Sequence, residues 1–499
     1  MTTGRAIVVG SGPNGLAGAV TLARAGLAVT VYEQAEYLGG GASTRELTLP
    51  GFHHDVGSAV HPMAAHSEFF RRFQLDRRIE LLTPELSYGH ALGEDRAALA
   101  WRDLERTAQG LGADASTWRR LLWPLAADAD RVADVIGDSF LPPAHPVVAL
   151  RLGLRALEQG SPLWDAGFQT DAAPALLTGV IAHPNRRLPA LGSAASGLVL
   201  AAFAHARGWP VPRGGSGAIT QALADDLLAH GGRIETGVEI TSIDELDGAD
   251  AVLLDVTPRA FLRLAGERLP APYRAALERF RYGDGVAKVD FALSDPVPWA
   301  ARELRDAVTI HVGGTRADIA RAEGEVASGR LPRHPYLLLS QPTVIDATRA
   351  PAGKHVLWAY THVPAGSEAD RSEAITAEIE RFAPGFRDTV LASASTTAQE
   401  LERIDPNLIG GDIGSGAASA WQLLARPLPS PAPWRTPLPG VFLCSGSTAP
   451  GPGVHGQAGW QAARRALRDL HLATPDLGPE LVPDSGGISA DSRARPGVD

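Results

Sequence analysis

The feature that most constrains this chain lies in its first 45 residues. A short apolar run, Ala6-Ile7-Val8-Val9, leads directly into Gly10-Ser11-Gly12-Pro13-Asn14-Gly15. Residues 16–26 then carry helical periodicity and stop on Gly26, as a helix C-terminus does. A second apolar run, Ala28-Val29-Thr30-Val31-Tyr32, ends at Glu33. Strand, glycine turn, helix, strand and acid in this order are a dinucleotide-binding fingerprint in its required context. Each position has a physical task. Gly10 permits the tight turn, Gly12 lets the backbone approach a pyrophosphate, and Gly15 lets the helix lie against the strand. The N–H groups and dipole at the helix start, around Pro13 and Asn14, favour phosphate charge. Glu33 is placed to accept hydrogen bonds from an adenosine ribose, and its carboxylate repels a 2′-phosphate.

With 499 residues the chain has room for two or three domains with substantial cores. A net charge of −10 argues against a nucleic-acid partner. The single cysteine, Cys444, excludes an intrachain disulfide and a cysteine-based zinc site, and no metal-ligand cluster stands out. The first strand starts within a few residues of Met1, and no apolar run is long enough to span a bilayer. A cytoplasmic setting is expected.

A second glycine cluster, Gly39-Gly40-Gly41-Ala42-Ser43-Thr44, follows the acid and suits a backbone passing close to the far end of a longer cofactor. Residues 67–200 read as largely helical. Within them, residues 147–157 are apolar with two arginines. They are open to two readings: a helix packed in the core, or one lying on a membrane surface or along a lipid-like substrate channel. Short apolar strands return between residues 233 and 255. Alternating strands over residues 286–293, 307–312, 336–340 and 355–361 suggest an antiparallel, partly solvated sheet. Residues 440–456 form a last glycine-rich strand and loop, and a helix follows at 457–470. From about residue 474 the Pro, Gly, Ser and Asp content predicts a disordered tail.

The fingerprint, the Gly208-Trp209-Pro210 and Gly214-Gly215-Ser216-Gly217 block, and the Gly446-to-Gly456 block together resemble the phytoene desaturase-like, phytoene dehydrogenase-related flavoproteins. The match runs from Arg5 to about Leu470. The resemblance implies an α/β fold: a glutathione-reductase-type, Rossmann-like FAD-binding domain with an inserted α+β substrate domain of antiparallel sheet and helices. It divides the chain into FAD-binding segments 1–66, 206–285 and 431–473, substrate-domain segments 67–205 (helical) and 286–430, and a tail, 474–499. It further implies that Val238 contacts the adenine side, and that Gly40, Gly41, Ala42, Thr44, Gly446, Gly453 and Val454 line the flavin. Pro452 departs from the family's usual glycine, removing one backbone donor.

Flavin carries the hydride chemistry in such proteins, and three side chains are candidates to assist it. His455 adjoins the proposed flavin loop, where a helix-start structural role is equally open. Lys288 lies on the first substrate-domain strand, where related amine oxidases place a lysine near the flavin; a surface lysine is the plainer reading. His61 could face substrate from beside the flavin. There is only one nucleotide fingerprint, so electrons are expected to leave FAD for oxygen or a quinone, or to return to substrate. The leading expectation is a desaturase or dehydrogenase acting on an apolar or amphipathic, polyene- or isoprenoid-like molecule. The alternatives are an amine-oxidase-like flavoenzyme and an FAD-free prenyl-binding escort protein. Peripheral membrane contact and oligomeric state stay open at this level.

Overall fold

The structure, a computed structural model, describes residues 4–93, 95–137 and 143–478. A five-stranded parallel sheet is assembled from distant parts of the chain. Its order is Val441–Leu443, Ala251–Leu254, Arg5–Val9, Ala28–Tyr32, Arg233–Glu235. The central Arg5–Val9 strand is buried from Ala6 onward, as a parallel strand covered on both faces must be. The Pro13–Arg24 helix crosses the Gln457–Asp469 helix at one face of this sheet. The crossing requires glycine: a side chain at Gly459 would overlap the Asn14 carbonyl, and one at Gly18 would press on Gly459. The two helices therefore meet near their N-termini, which lie together at the same edge of the sheet.

A second sheet has seven strands in the order Val390–Thr396, Gly285–Leu293, His355–Val363, Leu337–Ser340, Thr309–Val312, Leu86–Ala91, Ala97–Trp101. Two expectations change here. The region read as largely helical supplies the last two strands, and Leu86–Ala91 pairs parallel to Thr309–Val312. Leu86–Ala91 is buried throughout and so shows no alternation to reveal it. The solvated alternation is confined to the edges of the sheet, in Val390–Thr396 above all, whereas Gly285–Leu293 and the His355–Val363 strand beyond its first residue are buried. One face packs on Trp299, Ile375, Ile379 and Phe382. The other faces the helices Ala172–Ile181 and Leu191–Ala206.

The expected strand over residues 233–243 closes after Glu235. Residues 147–157 belong to the Pro146–Gln159 helix, which is apolar on both sides. Val148, Leu152 and Ala156 are buried, while Val147, Leu150, Leu154 and Leu157 are more than half exposed. Among the described residues no helix is long and apolar enough to cross a membrane. The start of the expected tail is packed rather than free: Leu477 is buried, and Arg24 donates to the Gly478 carbonyl at 2.8 Å. Residues 479–499 of that tail lie outside the described residues.

Because Gly459 sits at the helix crossing, Gly459→Ala is expected to lower the melting temperature by several degrees. Gly153→Ala, at a helix position with nothing within 4 Å of the new methyl, should leave it unchanged or raise it. Thermal denaturation followed by circular dichroism checks both.

Candidate cofactor and substrate site

A cleft opens at the edge of the parallel sheet, lined by Gly10, Gly12, Glu33, Gly40 and Val238 together with Asp255, Asp405 and Asn407. Gly10 takes φ of 98°, and a side chain at Gly15 would overlap the Gly10 carbonyl, which is why the turn needs glycine at both places. Pro13 occupies the first helical turn, where its missing N–H costs nothing. Asn14 is buried and its Oδ1 has no partner within the protein.

Glu33 is held in place by its neighbours. One carboxylate oxygen accepts from Ser11 N (2.8 Å) and Ser11 Oγ (2.7 Å), and the other from Ala35 N (2.9 Å). The Val238 N–H donates to the Glu33 carbonyl at 2.9 Å, which sets Val238 beside the acid. The structure thus brings the fingerprint, Glu33 and Val238 together around one cleft.

Two acids in this cleft escaped the sequence reading. Asp255 accepts from Gly15 N at 2.9 Å, and burial pushes its carboxyl up to about 7. Asp405 is likewise raised by burial, to about 6. Asp255 ends an apolar strand and Asp405 follows a helix, positions at which an acid is unremarkable in sequence.

Residues 40–44 are folded as a single 3₁₀ turn, Gly40–Ala42, followed by the strand Thr44–Glu46. Their anchor is Thr44. Its hydroxyl donates to Asp55 Oδ1 (2.8 Å) and accepts from Gly217 N (3.0 Å). Asp55 Oδ1 also accepts from Ser216 N (2.8 Å), and its Oδ2 pairs with Arg349 (2.8 Å). Gly215, at φ of 108°, lies so close to Thr44 that no side chain fits there. Burial raises the Asp55 carboxyl, but Arg349 and these donors outweigh it and hold the group below the usual range.

The three proposed chemical residues fare differently. His61 is buried, with Nε2 2.8 Å from Ser216 Oγ. Because Ser216 spends its proton on the Ser58 carbonyl, His61 Nε2 is the donor. Nδ1 is then an unpartnered acceptor, and burial lowers the imidazole to about 4.

Lys288 is not on the surface. It is 5 % exposed and binds both oxygens of Asp290 (2.6 and 2.5 Å). Its charge contributes, after burial, to holding His54 at about 3.

His455 has no atom to spare. Nε2 bonds to the Gly451 carbonyl (3.0 Å) and Nδ1 accepts from Gln457 N (3.0 Å). With both ring nitrogens engaged it closes the loop onto the Gln457–Asp469 helix, which favours the structural one of the two roles left open by the sequence.

In the same loop Gly446 is held through its carbonyl by Arg426 (2.8 Å), and Gly453 lies against Met63. Val454 is buried among residues of the cofactor-side core. Among the described residues no group of three or more His, Cys, Asp or Glu side chains is arranged to hold a metal.

A sequence-family model described as an NAD(P)-binding Rossmann-like domain matches residues 8–73. Over 93% of its length the chain is 27% identical to a rat pyridine nucleotide-disulfide oxidoreductase domain-containing protein 2, again covering 93% of that protein. It is 26% identical to a Streptomyces griseus phytoene dehydrogenase, across 82% of this chain and 80% of that one. These likenesses support an FAD-dependent oxidoreductase of the superfamily to which the phytoene dehydrogenases belong. The superfamily's fold extends over the whole structure. A putrescine oxidase with putrescine bound superimposes with a TM-score of 0.56 at 17% identity, covering 94% of this chain and 99% of that one.

The raised acids make the stability of the apoprotein depend on pH in a specific direction. Between the unfolded carboxylate value and about 6, the folded state holds a proton on Asp405 that the unfolded state has lost, so stability falls as pH rises through this window. Asp405→Asn is therefore expected to raise the melting temperature at pH 8 and to change it little at about pH 4, near the unfolded carboxylate value. Equal shifts at the two pH values would contradict the placement of Asp405.

Proposed function

We propose that the chain holds FAD across the cleft and the Gly40–Thr44 strip, and dehydrogenates an amphipathic small molecule lodged between the seven-stranded sheet and its covering helices. The observation that carries this reading is the convergence of three distant segments on one place. The fingerprint with Glu33 and Gly40, Val238 with Asp255, and Asp405 with Asn407 line a single cleft, and the Thr44–Asp55–Ser216 cluster anchors the strip that follows Gly40.

The residues fit the cofactor. Gly10, Gly12 and Gly15 leave backbone room for a pyrophosphate, and the partnerless Asn14 Oδ1 lies buried at the start of the same helix. Glu33 and Val238 suit the adenosine end. Gly40, Gly41, Ala42, Thr44, Gly446, Gly453 and Val454 suit the isoalloxazine end. The Gln457–Asp469 helix directs its N-terminal partial charge to that end, where negative charge favours it. FAD supplies hydride acceptance when bound; the protein's part is to position substrate and exclude water. His61 Nδ1 offers a neutral hydrogen-bond acceptor beside Ser216.

The intact cleft weighs against an FAD-free binding protein. With one nucleotide site, oxygen or a quinone is the fitting electron acceptor, and a cytoplasmic location agrees with the absence of a membrane-spanning helix among the described residues. A second reading, oxidation of a C–N bond, has an observation in its favour. The inner sheet face next to the proposed flavin end carries Lys288, Asp290, Trp358 and Tyr360 rather than aliphatic side chains.

The purified protein is expected to be yellow, with one FAD per chain. Gly12→Val should yield colourless protein with an unchanged far-ultraviolet spectrum, because a branched side chain would meet Asp255 and fill the phosphate approach. Full FAD content in that variant would overturn the placement of the phosphates.

A further inference from the structure

The inner face of the seven-stranded sheet carries an arrangement that the cofactor site does not explain. Thr309 is paired with Ser340, Ser340 with Trp358, and Trp358 with Asp290. Tyr88 extends the line, lying one residue before the Gly89–Ile310 pairing on the next strand. Five adjacent strands thus present Tyr88, Thr309, Ser340, Trp358 and Asp290 in a single row, all nearly or fully buried. Tyr88 Oη, Thr309 Oγ1, Ser340 Oγ and Trp358 Nε1 all lack a hydrogen-bond partner.

Some polar groups nearby do have partners, while Thr361 Oγ1 on the opposite face of the sheet lacks one without forming part of a row. Ser87 donates to the Ala204 carbonyl (2.9 Å) and Tyr336 to that of Gly179 (2.6 Å). An unsatisfied buried polar atom costs about 1–3 kcal/mol. Valine, alanine or phenylalanine at these places would build the same wall without that cost. Four consecutive strands carrying the cost in one line is not the pattern of a core selected for packing.

The ends of the row locate it. At one end Asp290 holds Lys288 and lies 3.5 Å from His54, the neighbour of Asp55 and hence of the Thr44 anchor. At the other end Tyr88 stacks on Trp209 (ring centroids 4.8 Å apart), and the adjacent Pro210 carbonyl accepts from His61 N (2.9 Å). The row therefore joins the two protein segments that flank the proposed isoalloxazine end.

We propose that this row is the substrate-recognition wall, and that it selects an elongated small molecule bearing hydrogen-bonding groups along one edge, as hydroxyls or neutral amines, rather than a hydrocarbon chain. The inference rests on the dehydrogenase reading above and narrows its substrate. Strands about 4.8 Å apart place the four atoms along roughly 14 Å, which sets the length of that polar edge. The hydroxyls of Tyr88, Thr309 and Ser340 donate or accept. The Trp358 N–H only donates, so the ligand atom facing it must carry a lone pair, which an ammonium lacks. Trp209 covers the row at the Tyr88 end, and the ligand takes the place of that packing.

The test uses the FAD-loaded protein and the double variant Thr309→Val with Ser340→Ala, which removes two polar atoms and keeps the volume. Its melting temperature is expected to equal or exceed that of the parent, and a fall would show that the row serves the fold and overturn the proposal. Anaerobic bleaching of the flavin is then followed at about pH 9.5, where spermine is partly neutral, with spermine, maltotriose and squalene as the amine, hydroxyl and hydrocarbon probes. Bleaching by spermine or by maltotriose, slowed about tenfold in kcat/KM in the variant, matches the loss of two hydrogen bonds and identifies which polar class is taken. Bleaching by squalene alone, at equal rates in both proteins, overturns the proposal while leaving the dehydrogenase reading intact. Protein that takes up no FAD would instead remove that reading and this inference with it.

Discussion

The buried carboxylate of Asp55 is the constraint on which the rest of the site depends. It is fully excluded from solvent, as is its partner Arg349, and an isolated charge there would cost several kcal/mol. The protein meets that cost with one ion pair and two hydrogen bonds, each of 2.8 Å, drawn from three parts of the chain. Arg349 comes from the connection between two strands of the large sheet, Ser216 from the glycine block before the Gly217–Ala229 helix, and Thr44 from the strip following the first nucleotide-binding unit. Holding the two oxygens of one carboxylate satisfied therefore fixes the seven-stranded sheet against the nucleotide-fingerprint unit. Arg349 also donates to the His53 carbonyl (3.0 Å), so both the backbone and the side chain of this segment are held.

Around that point the two halves divide the labour. The parallel sheet and its crossed helices supply helix N-termini, glycine turns and one well-tied acid, the means by which a fold receives a charged, extended cofactor. The seven-stranded sheet supplies a wall whose inner face is aromatic and polar and whose outer face is aliphatic. His61 stands at the join, with one nitrogen committed to Ser216 and the other unpartnered. Lys288 and Asp290 neutralise each other beside it, keeping a charged pair next to the Thr44 anchor without a net charge in the interior.

The parts that were legible in the sequence are those in which a few neighbouring residues impose a local geometry. Gly10, Gly12 and Gly15 announce their turn because the close approaches around it leave no room for a side chain. Glu33 is legible because it ends a strand at a set distance from that turn. What could not be read depends on register and on long-range pairing. Asp55 and Arg349 are separated by 294 positions, and neither looks unusual alone. The Leu86–Ala91 strand hides because it is buried on both faces. Lys288 reads as a surface residue until Asp290, two places on, is seen to share its side of the strand. His455 looks available until the loop folds and engages both its nitrogens.

FAD binding in this account depends on the Thr44–Asp55–Ser216 cluster, which holds the Gly40–Thr44 strip against the start of the Gly217–Ala229 helix. The most direct measurement is the FAD dissociation constant of Thr44→Val, which keeps the side chain's shape and removes the hydroxyl that links Asp55 to Gly217. The account predicts a fall in FAD affinity of at least tenfold with an unchanged circular dichroism spectrum, since two hydrogen bonds at the site are lost while the sheets remain. An unaltered dissociation constant would contradict it.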